Sequence, residues 1–222
     1  MILTIDGPAG SGKSTTARAV AARLGFRHLD SGAFYRALTL AALRAGLPPD
    51  SWDALSPAAV EALAVEAVPA EGGFAMRIDD QPVDEELRTP EVTARVSTMA
   101  QVPAVRSWLL RHLRAAARHG SLVTDGRDMG TVVFPAAELK VFLVADPAVR
   151  ALRRLRQEGS AEPDAAALAA EEARLRERDR VDSERPVAPL RRAPDAAELD
   201  TTHLDFTEQV EGIVLLARAR GA

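Results

Sequence analysis

Residues 2–14 read Ile2-Leu3-Thr4-Ile5-Asp6-Gly7-Pro8-Ala9-Gly10-Ser11-Gly12-Lys13-Ser14. A short apolar run, Ile2–Ile5, feeds G-x-x-x-x-G-K-S, and a helical pattern from about Ser14 to Leu24 follows. Strand, glycine loop and helix in this order form a P-loop in its required context. The chemistry explains the residue types. A polyphosphate needs donors from several directions, and backbone N–H groups supply them only where the chain wraps closely. Gly7, Gly10 and Gly12 have no Cβ and accept positive φ, so the loop of Gly7, Pro8, Ala9, Gly10, Ser11, Gly12, Lys13, Ser14 and Thr15 is the candidate ATP site. The helix that follows aims its unpaired N–H groups and its dipole at the same anion. Lys13 adds a mobile charge, and the Ser14 hydroxyl is the expected Mg²⁺ ligand. The chain has two lysines, Lys13 and Lys140, against 26 arginines, so a lysine here is not compositional noise.

Further apolar runs lie at Arg27–Leu29, Leu122–Thr124, Val141–Ala145 and Leu199–Thr201, and helical patterns follow most of them. Short buried strands separated by helices predict an α/β chain with a parallel sheet. Residues 46–90 break this rhythm. An alanine-rich amphipathic segment covers about 57–65. Val65–Pro69, Phe74–Ile78 and Gln81–Val83 then read as a small antiparallel sheet turning through Asp79-Asp80. A long helix is expected over about 91–119, bent at Pro103. A helix at 147–157 ends at Gly159, and another opens at Pro163 and runs to about Arg180. The Arg- and Pro-rich stretch Val181–Pro194 has the placement of a lid. The expected organisation is a core of 1–45, 91–158 and 195–222, an insertion at 46–90 and a lid at 159–194.

Composition bounds the rest. With 222 residues, 27% charged and 47% hydrophobic, the chain is long enough for one core plus an insertion or lid, and too apolar for disorder. No apolar run approaches the length of a membrane span. The start enters a strand at once, leaving no room for a signal peptide, and the absence of cysteine excludes disulfides and thiolate metal sites. A cytoplasmic monomer is the expectation. A net charge of −4 gives no global attraction to nucleic-acid polymers, so anionic small molecules must be drawn by local arginine clusters.

Three clusters beyond the P-loop carry chemistry. Asp30-Ser31-Gly32-Ala33-Phe34-Tyr35-Arg36 follows the second strand, where parallel sheets bind ligands. Asp30 or Ser31 caps the next helix, and Arg36 offers a phosphate fork. Asp125-Gly126-Arg127-Asp128-Met129-Gly130 ends a strand and is too polar for packing alone. Here Arg127 takes a phosphate, Asp128 accepts from a substrate amino group, and Asp125 holds Mg²⁺ through water. Arg178-Asp179-Arg180-Val181-Asp182-Ser183-Glu184-Arg185 reads either as a solvated helix end or as an arginine lid over a triphosphate. Arg150, Arg153, Arg154 and Arg156 read as a solvated basic face, with one of them available to stack on a base. His28, His112, His119 and His203 share no metal-ligand spacing and are expected at the surface, while Trp52 and Trp108 are expected to pack.

With these residues in place, the chain resembles the bacterial cytidylate kinases, the CMP/dCMP kinases of the nucleoside monophosphate kinase group. The likeness runs nearly end to end. It includes Ile5–Ser14, Leu29–Leu38, Thr124–Pro135, Arg178–Arg185 with Ala188-Pro189-Leu190, and Leu199–Thr202. The Asp-Gly-Arg-Asp-Met-Gly-Thr and Arg-Asp-x-x-Asp-Ser-x-Arg stretches are far more specific than the P-loop. The resemblance implies a three-layer P-loop fold with an NMP-binding insertion and an arginine-rich lid. It implies MgATP as phosphoryl donor and CMP or dCMP as acceptor. It further implies CMP contacts from Ser31, Tyr35, Arg36, Ser97, Arg106, Arg127, Asp128, Arg178, Asp182 and Arg185. Lys13, Arg127, Arg178 and Arg185 would neutralise the transferring phosphoryl group. The P-loop ends in Lys-Ser where some members have Lys-Gly, which makes direct Mg²⁺ ligation by Ser14 plausible here. A UMP or shikimate kinase is the nearest alternative. A regulatory GTPase would need an Asn-Lys-x-Asp motif, which two lysines at 13 and 140 do not provide. A remodelling ATPase would need an Asp-Glu pair closing an apolar strand, but Pro147 follows Asp146.

Overall fold

Strands form where apolar, β-branched residues run without interruption, and helices start where a short polar side chain can cap them. A computed structural model describes residues 1–222. In chain order the elements are β1 (Ile2–Asp6), α1 (Lys13–Leu24), β2 (Arg27–Asp30), α2 (Ser31–Arg44), α3 (Pro57–Glu61), β3 (Val65–Ala70), β4 (Gly73–Ile78) and β5 (Gln81–Pro82). Then come α4 (Pro90–Met99), α5 (Pro103–Ala116), β6 (Leu122–Gly126), β7 (Leu139–Val144), α6 (Pro147–Gln157), α7 (Ala165–Glu184), β8 (Ala197–Asp200) and α8 (Phe206–Arg218). The chain divides into two units, 1–26 with 122–222, and 27–121. The second unit is wider than the 46–90 insertion expected from the sequence, because α2 packs on β3 and β4, and α4 and α5 pack on α2.

In the first unit β6, β1, β7 and β8 lie side by side, all parallel. Ile2 stands opposite Leu122, Leu3 opposite Leu139, and Val141 opposite Ala197. Leu3, Ile5, Val123, Val141 and Leu143 are buried together with Ala17 and Val20 of α1 and Ile213 and Val214 of α8. Strands covered in this way carry near-continuous apolar runs. The P-loop leaves the carboxyl end of β1 against β7. Gly7 has φ +149°, and a Cβ there would stand 2.2 Å from the Leu143 carbonyl oxygen, so no larger residue fits.

In the second unit β3, β4 and β5 form an antiparallel sheet. Asp79 and Asp80, with φ 49° and 62°, make the two-residue turn between β4 and β5. Positive φ at both central positions matches the twist of the flanking strands. Trp52 and Trp108 are both buried, as expected of packing residues. The single long helix expected over 91–119 is instead two, α4 and α5, with Pro103 in the first turn of the second. Proline lacks the N–H that would continue α4, and its ring would clash with the carbonyl four residues back, so the helix ends and restarts. Helix α7 departs from expectation in the other direction. α7 continues to Glu184 rather than stopping at Arg180, because Arg180 pairs along the helix with Glu177 at 2.7 Å and Glu184 at 2.5 Å. Pro186 then holds Arg185 extended, φ −58° and ψ 138°.

Candidate active site

The P-loop closes on itself. Lys13 Nζ donates to the Pro8 carbonyl at 2.5 Å and lies 3.3 Å from Ser11 Oγ, which itself donates to Pro8 at 3.1 Å. Lys13 is buried, and its ammonium is pushed well below the usual lysine range. Burial is the main cause, helped by the Arg127 and Arg178 charges and opposed by Asp125 and Asp179. Ser14 Oγ donates to Asp125 Oδ2 at 2.5 Å, joining the first turn of α1 to the end of β6. Thr15, the next residue, is exposed.

The end of β6 is held from β1. Asp6 Oδ1 accepts from the Met129 N–H at 2.9 Å, and Oδ2 from the Gly130 N–H at 2.7 Å. These two donors open a one-turn π-helix, Met129–Val133. Burial raises Asp6 to about 6, against the pull of its two backbone donors. The anchor fixes Asp128 and Arg127 just before it. Arg127 Nε donates to Asp182 Oδ2 at 2.8 Å, and Arg185 Nη2 stands 3.4 Å from Asp128 Oδ1. Arg185 also donates to the Ala188 carbonyl at 2.7 Å. Burial pushes Asp182 up, but Arg127, Arg178 and Arg185 together hold it below the usual carboxylate range. The extension of α7 therefore matters, since Arg178 and Asp182 sit one turn apart on a continuous helix. Within this unit the structure brings together Lys13, Ser14, Asp125, Arg127, Asp128, Arg178, Asp182 and Arg185.

In the second unit Asp30 caps α2, accepting from the Ala33 N–H at 3.2 Å, and Arg88 pairs with the same carboxylate at 3.1 Å. Ser31 is buried at the start of the helix. Tyr35, one turn on, accepts from Arg106 Nη1 at 2.9 Å, and Arg106 also lies 3.3 Å from the Ala100 carbonyl. The Arg36 guanidinium folds back over Gly32, where a Cβ would meet its Nη1 at 2.6 Å. Ser97 is half-buried on α4, and its carbonyl accepts from Gln101 at 3.2 Å.

Sequence reasoning did not foresee the roles of four supporting residues. Asp6 was visible as the acid closing β1. Asp179 was visible as part of the face made by Glu171, Leu175 and Asp182 once α7 is read to its full length. Gln209, on α8, hydrogen-bonds Thr16, whose hydroxyl donates to the Gly12 carbonyl at 2.9 Å. Arg150 is not on a solvated face. It is 5% exposed and binds the Ala9 carbonyl and Asp179, while Arg153 binds the carbonyl and hydroxyl of Thr201. His28 is likewise buried rather than at the surface, because it lies on β2. No cluster of three or more His, Cys, Asp or Glu is placed to hold a metal ion unaided.

A P-loop between β1 and α1, at the carboxyl ends of parallel strands flanked by helices, defines the fold of the P-loop kinases. A solved structure of a gluconokinase from Sinorhizobium meliloti 1021 shares that fold, with TM-score 0.50 and 15% identity over 98% of this chain and 92% of that one. The family is narrower. A family model for cytidylate kinase matches residues 3–219, and the chain belongs to the cytidylate kinase family. The bifunctional pantoate ligase/cytidylate kinase of Synechococcus sp. (strain JA-3-3Ab) is 46% identical over 219 residues, 98% of this chain and 40% of that protein. The protein of the same name from Prochlorococcus marinus (strain MIT 9313) is 45% identical over 223 residues, 99% of this chain and 43% of that protein. The chain thus spans less than half the length of these curated relatives.

Proposed function

We propose that this chain transfers the γ-phosphoryl group of MgATP to CMP or dCMP, giving ADP and CDP or dCDP, as a cytoplasmic monomer in pyrimidine nucleotide metabolism. The observation that carries the reading is the family match over residues 3–219, with the P-loop, the Asp125–Asp128 turn and the α7 arginines in one unit. Phosphoryl transfer asks for positioning and charge neutralisation rather than a covalent nucleophile. An oxygen of the acceptor phosphate attacks the γ-phosphorus in line, and the bond to the β-phosphate bridging oxygen breaks. P-loop N–H groups hold the donor. Lys13, Arg127, Arg178 and Arg185 offset charge on the transferring group. Acceptor contacts are assigned to Arg127, Asp128, Arg178, Asp182 and Arg185 in the first unit, and to Ser31, Tyr35, Arg36, Ser97 and Arg106 in the second.

The donor set near Ser14 fits Mg²⁺. A hydroxyl and a carboxylate 2.5 Å apart are hard oxygen ligands, and Mg²⁺ favours a few such groups plus phosphate and water. Ser14 would ligate it directly and Asp125 through water, and the ion would supply further neutralisation of the phosphates.

The test is a panel of acceptors with MgATP, comprising CMP, dCMP, UMP, AMP, shikimate and gluconate, followed as ADP release. CMP or dCMP should give the highest kcat/KM, with Lys13→Ala abolishing transfer. Preference for UMP or a non-nucleotide acceptor would overturn the acceptor assignment, and near-normal turnover by Lys13→Ala would overturn the donor site.

A further inference from the structure

Helix α7 reaches into the P-loop with a carboxylate. Asp179 Oδ1 accepts from the Ala9 N–H at 2.7 Å, and Oδ2 accepts from Arg150 Nη1 at 2.6 Å. The same arginine nitrogen donates to the Ala9 carbonyl at 2.7 Å, and Arg150 Nε donates to the Ala145 carbonyl at 3.1 Å. Both backbone groups of one P-loop residue are therefore bound by side chains from outside the loop. Apolar contact reinforces this, since Ala9 is buried with Ala151 of α6 and Leu175 of α7. At Gly10 a Cβ would stand 3.2 Å from Arg150 Cβ and 3.3 Å from Leu175 Cδ1, so the loop lies flush on both helices.

The peptide group that carries the Ala9 N–H also carries the Pro8 carbonyl. That carbonyl accepts from Lys13 Nζ at 2.5 Å and from Ser11 Oγ at 3.1 Å. One peptide plane thus has Asp179 on its N–H edge and Lys13 on its C=O edge. We infer that Asp179, together with Arg150, is a positioning residue that fixes the Pro8–Ala9 peptide and makes nucleoside triphosphate affinity depend on the seating of α7. This rests on the proposed role of the P-loop in holding ATP. The physical reason is the loop's own composition. It binds phosphate with backbone N–H groups, and its glycines bring no side chains to resist rotation of a peptide plane. A half-buried, two-pronged carboxylate supplies that resistance before the ligand arrives, which lowers the ordering cost of binding. The helix that braces the loop also carries Arg178 and Asp182. Withdrawal of α7 would release the Pro8–Ala9 peptide as it removed those side chains, so nucleotide grip and lid seating change together.

Binding of MgATP alone and of CMP alone is measured by calorimetry for the wild type, Asp179→Ala, Asp179→Asn and Arg176→Gln, with transfer to CMP assayed in parallel. Asp179→Ala should weaken MgATP binding by about tenfold or more, the factor that accompanies loss of a hydrogen bond to a charged group. Asp179→Asn keeps one acceptor for the Ala9 N–H and should fall between. CMP affinity should move by no more than about twofold in either variant. Arg176→Gln, an exposed residue whose partner is Glu172, should match the wild type. Unchanged MgATP affinity in the folded variants would overturn the inference, as would equal weakening of MgATP and CMP. If Asp179→Ala does not fold, Asp179→Asn decides on the same criteria. A wild type that binds MgATP but does not phosphorylate CMP would sink the acceptor assignment alone, leaving the brace to be judged on MgATP affinity. A wild type that binds no MgATP would overturn both.

Discussion

Asp6 makes folding stability depend on pH in a window where most carboxylates are silent. Its two oxygens accept from Met129 and Gly130, yet burial still raises it from 3.8 to about 6, with Asp128 adding to the rise and Lys13 opposing it. The folded state therefore binds a proton more tightly than the unfolded chain does. The contribution is fully present below about pH 3.8 and is lost as pH rises through about 6. Holding a proton at about 6 rather than 3.8 corresponds to about 3 kcal/mol. The perturbation is Asp6→Asn, which cannot ionise. Its amide keeps one acceptor and turns a donor toward the other N–H, a roughly constant cost of about 1–3 kcal/mol. Urea unfolding of both proteins across pH 4 to 8 gives the stability difference at each pH. Relative to the wild type, the variant should gain about 2.4 kcal/mol over this range, most of it between pH 4 and 6.5. Carboxylates held below their ordinary range, such as Asp182 and Glu138, are common to both proteins and cancel in the difference. A flat difference would refute the reasoning. So would a variant that loses ground as pH rises, which would mean that the two N–H donors outweigh burial.

Gly7→Ala should destabilise the first unit by more than the about 1–3 kcal/mol of backbone strain alone, because its Cβ would overlap the Leu143 carbonyl at 2.2 Å. A urea midpoint equal to the wild type would contradict this. Asp182→Ala strips Arg127 of its partner among Arg178 and Arg185, and should cost about 3 kcal/mol; Arg127→Ala in the same chain should recover part of it, as a double-mutant cycle would show. Asp128→Ala should harm KM for CMP far more than MgATP affinity, and equal losses would argue against an acceptor role. Gly73→Ala should destabilise the second unit measurably, since a Cβ there would meet the His28 carbonyl oxygen at 2.6 Å, and an unchanged melting temperature would show that β4 shifts freely.

What was legible in the sequence is what local chemistry constrains. The P-loop was readable because phosphate geometry fixes residue types at fixed spacing. Helix α6 was readable to the residue because Asp146 accepts from the Ala148 N–H at 2.8 Å and Pro147 opens the first turn. The end of α7 was not, since a run alternating Arg with Asp and Glu reads as solvated loop until its i,i+3 and i,i+4 pairs are counted as helical support. The supporting charges failed for a different reason: their partners are backbone groups far along the chain. Asp6 is satisfied by N–H groups of residues 129 and 130, and Arg150 by the carbonyl of Ala9. Periodicity places a side chain on a helix face but does not say that a carbonyl from another loop waits there. This separates two kinds of arginine that composition merges. Arg150 and Arg153 each reach a main-chain carbonyl, Arg150 with the Asp179 carboxylate besides, so removing either takes a donor from a main-chain acceptor, and their role is to hold loops. Arg127 directs its short bond to the Asp182 carboxylate, a group that a phosphate can replace without loss of charge complementarity.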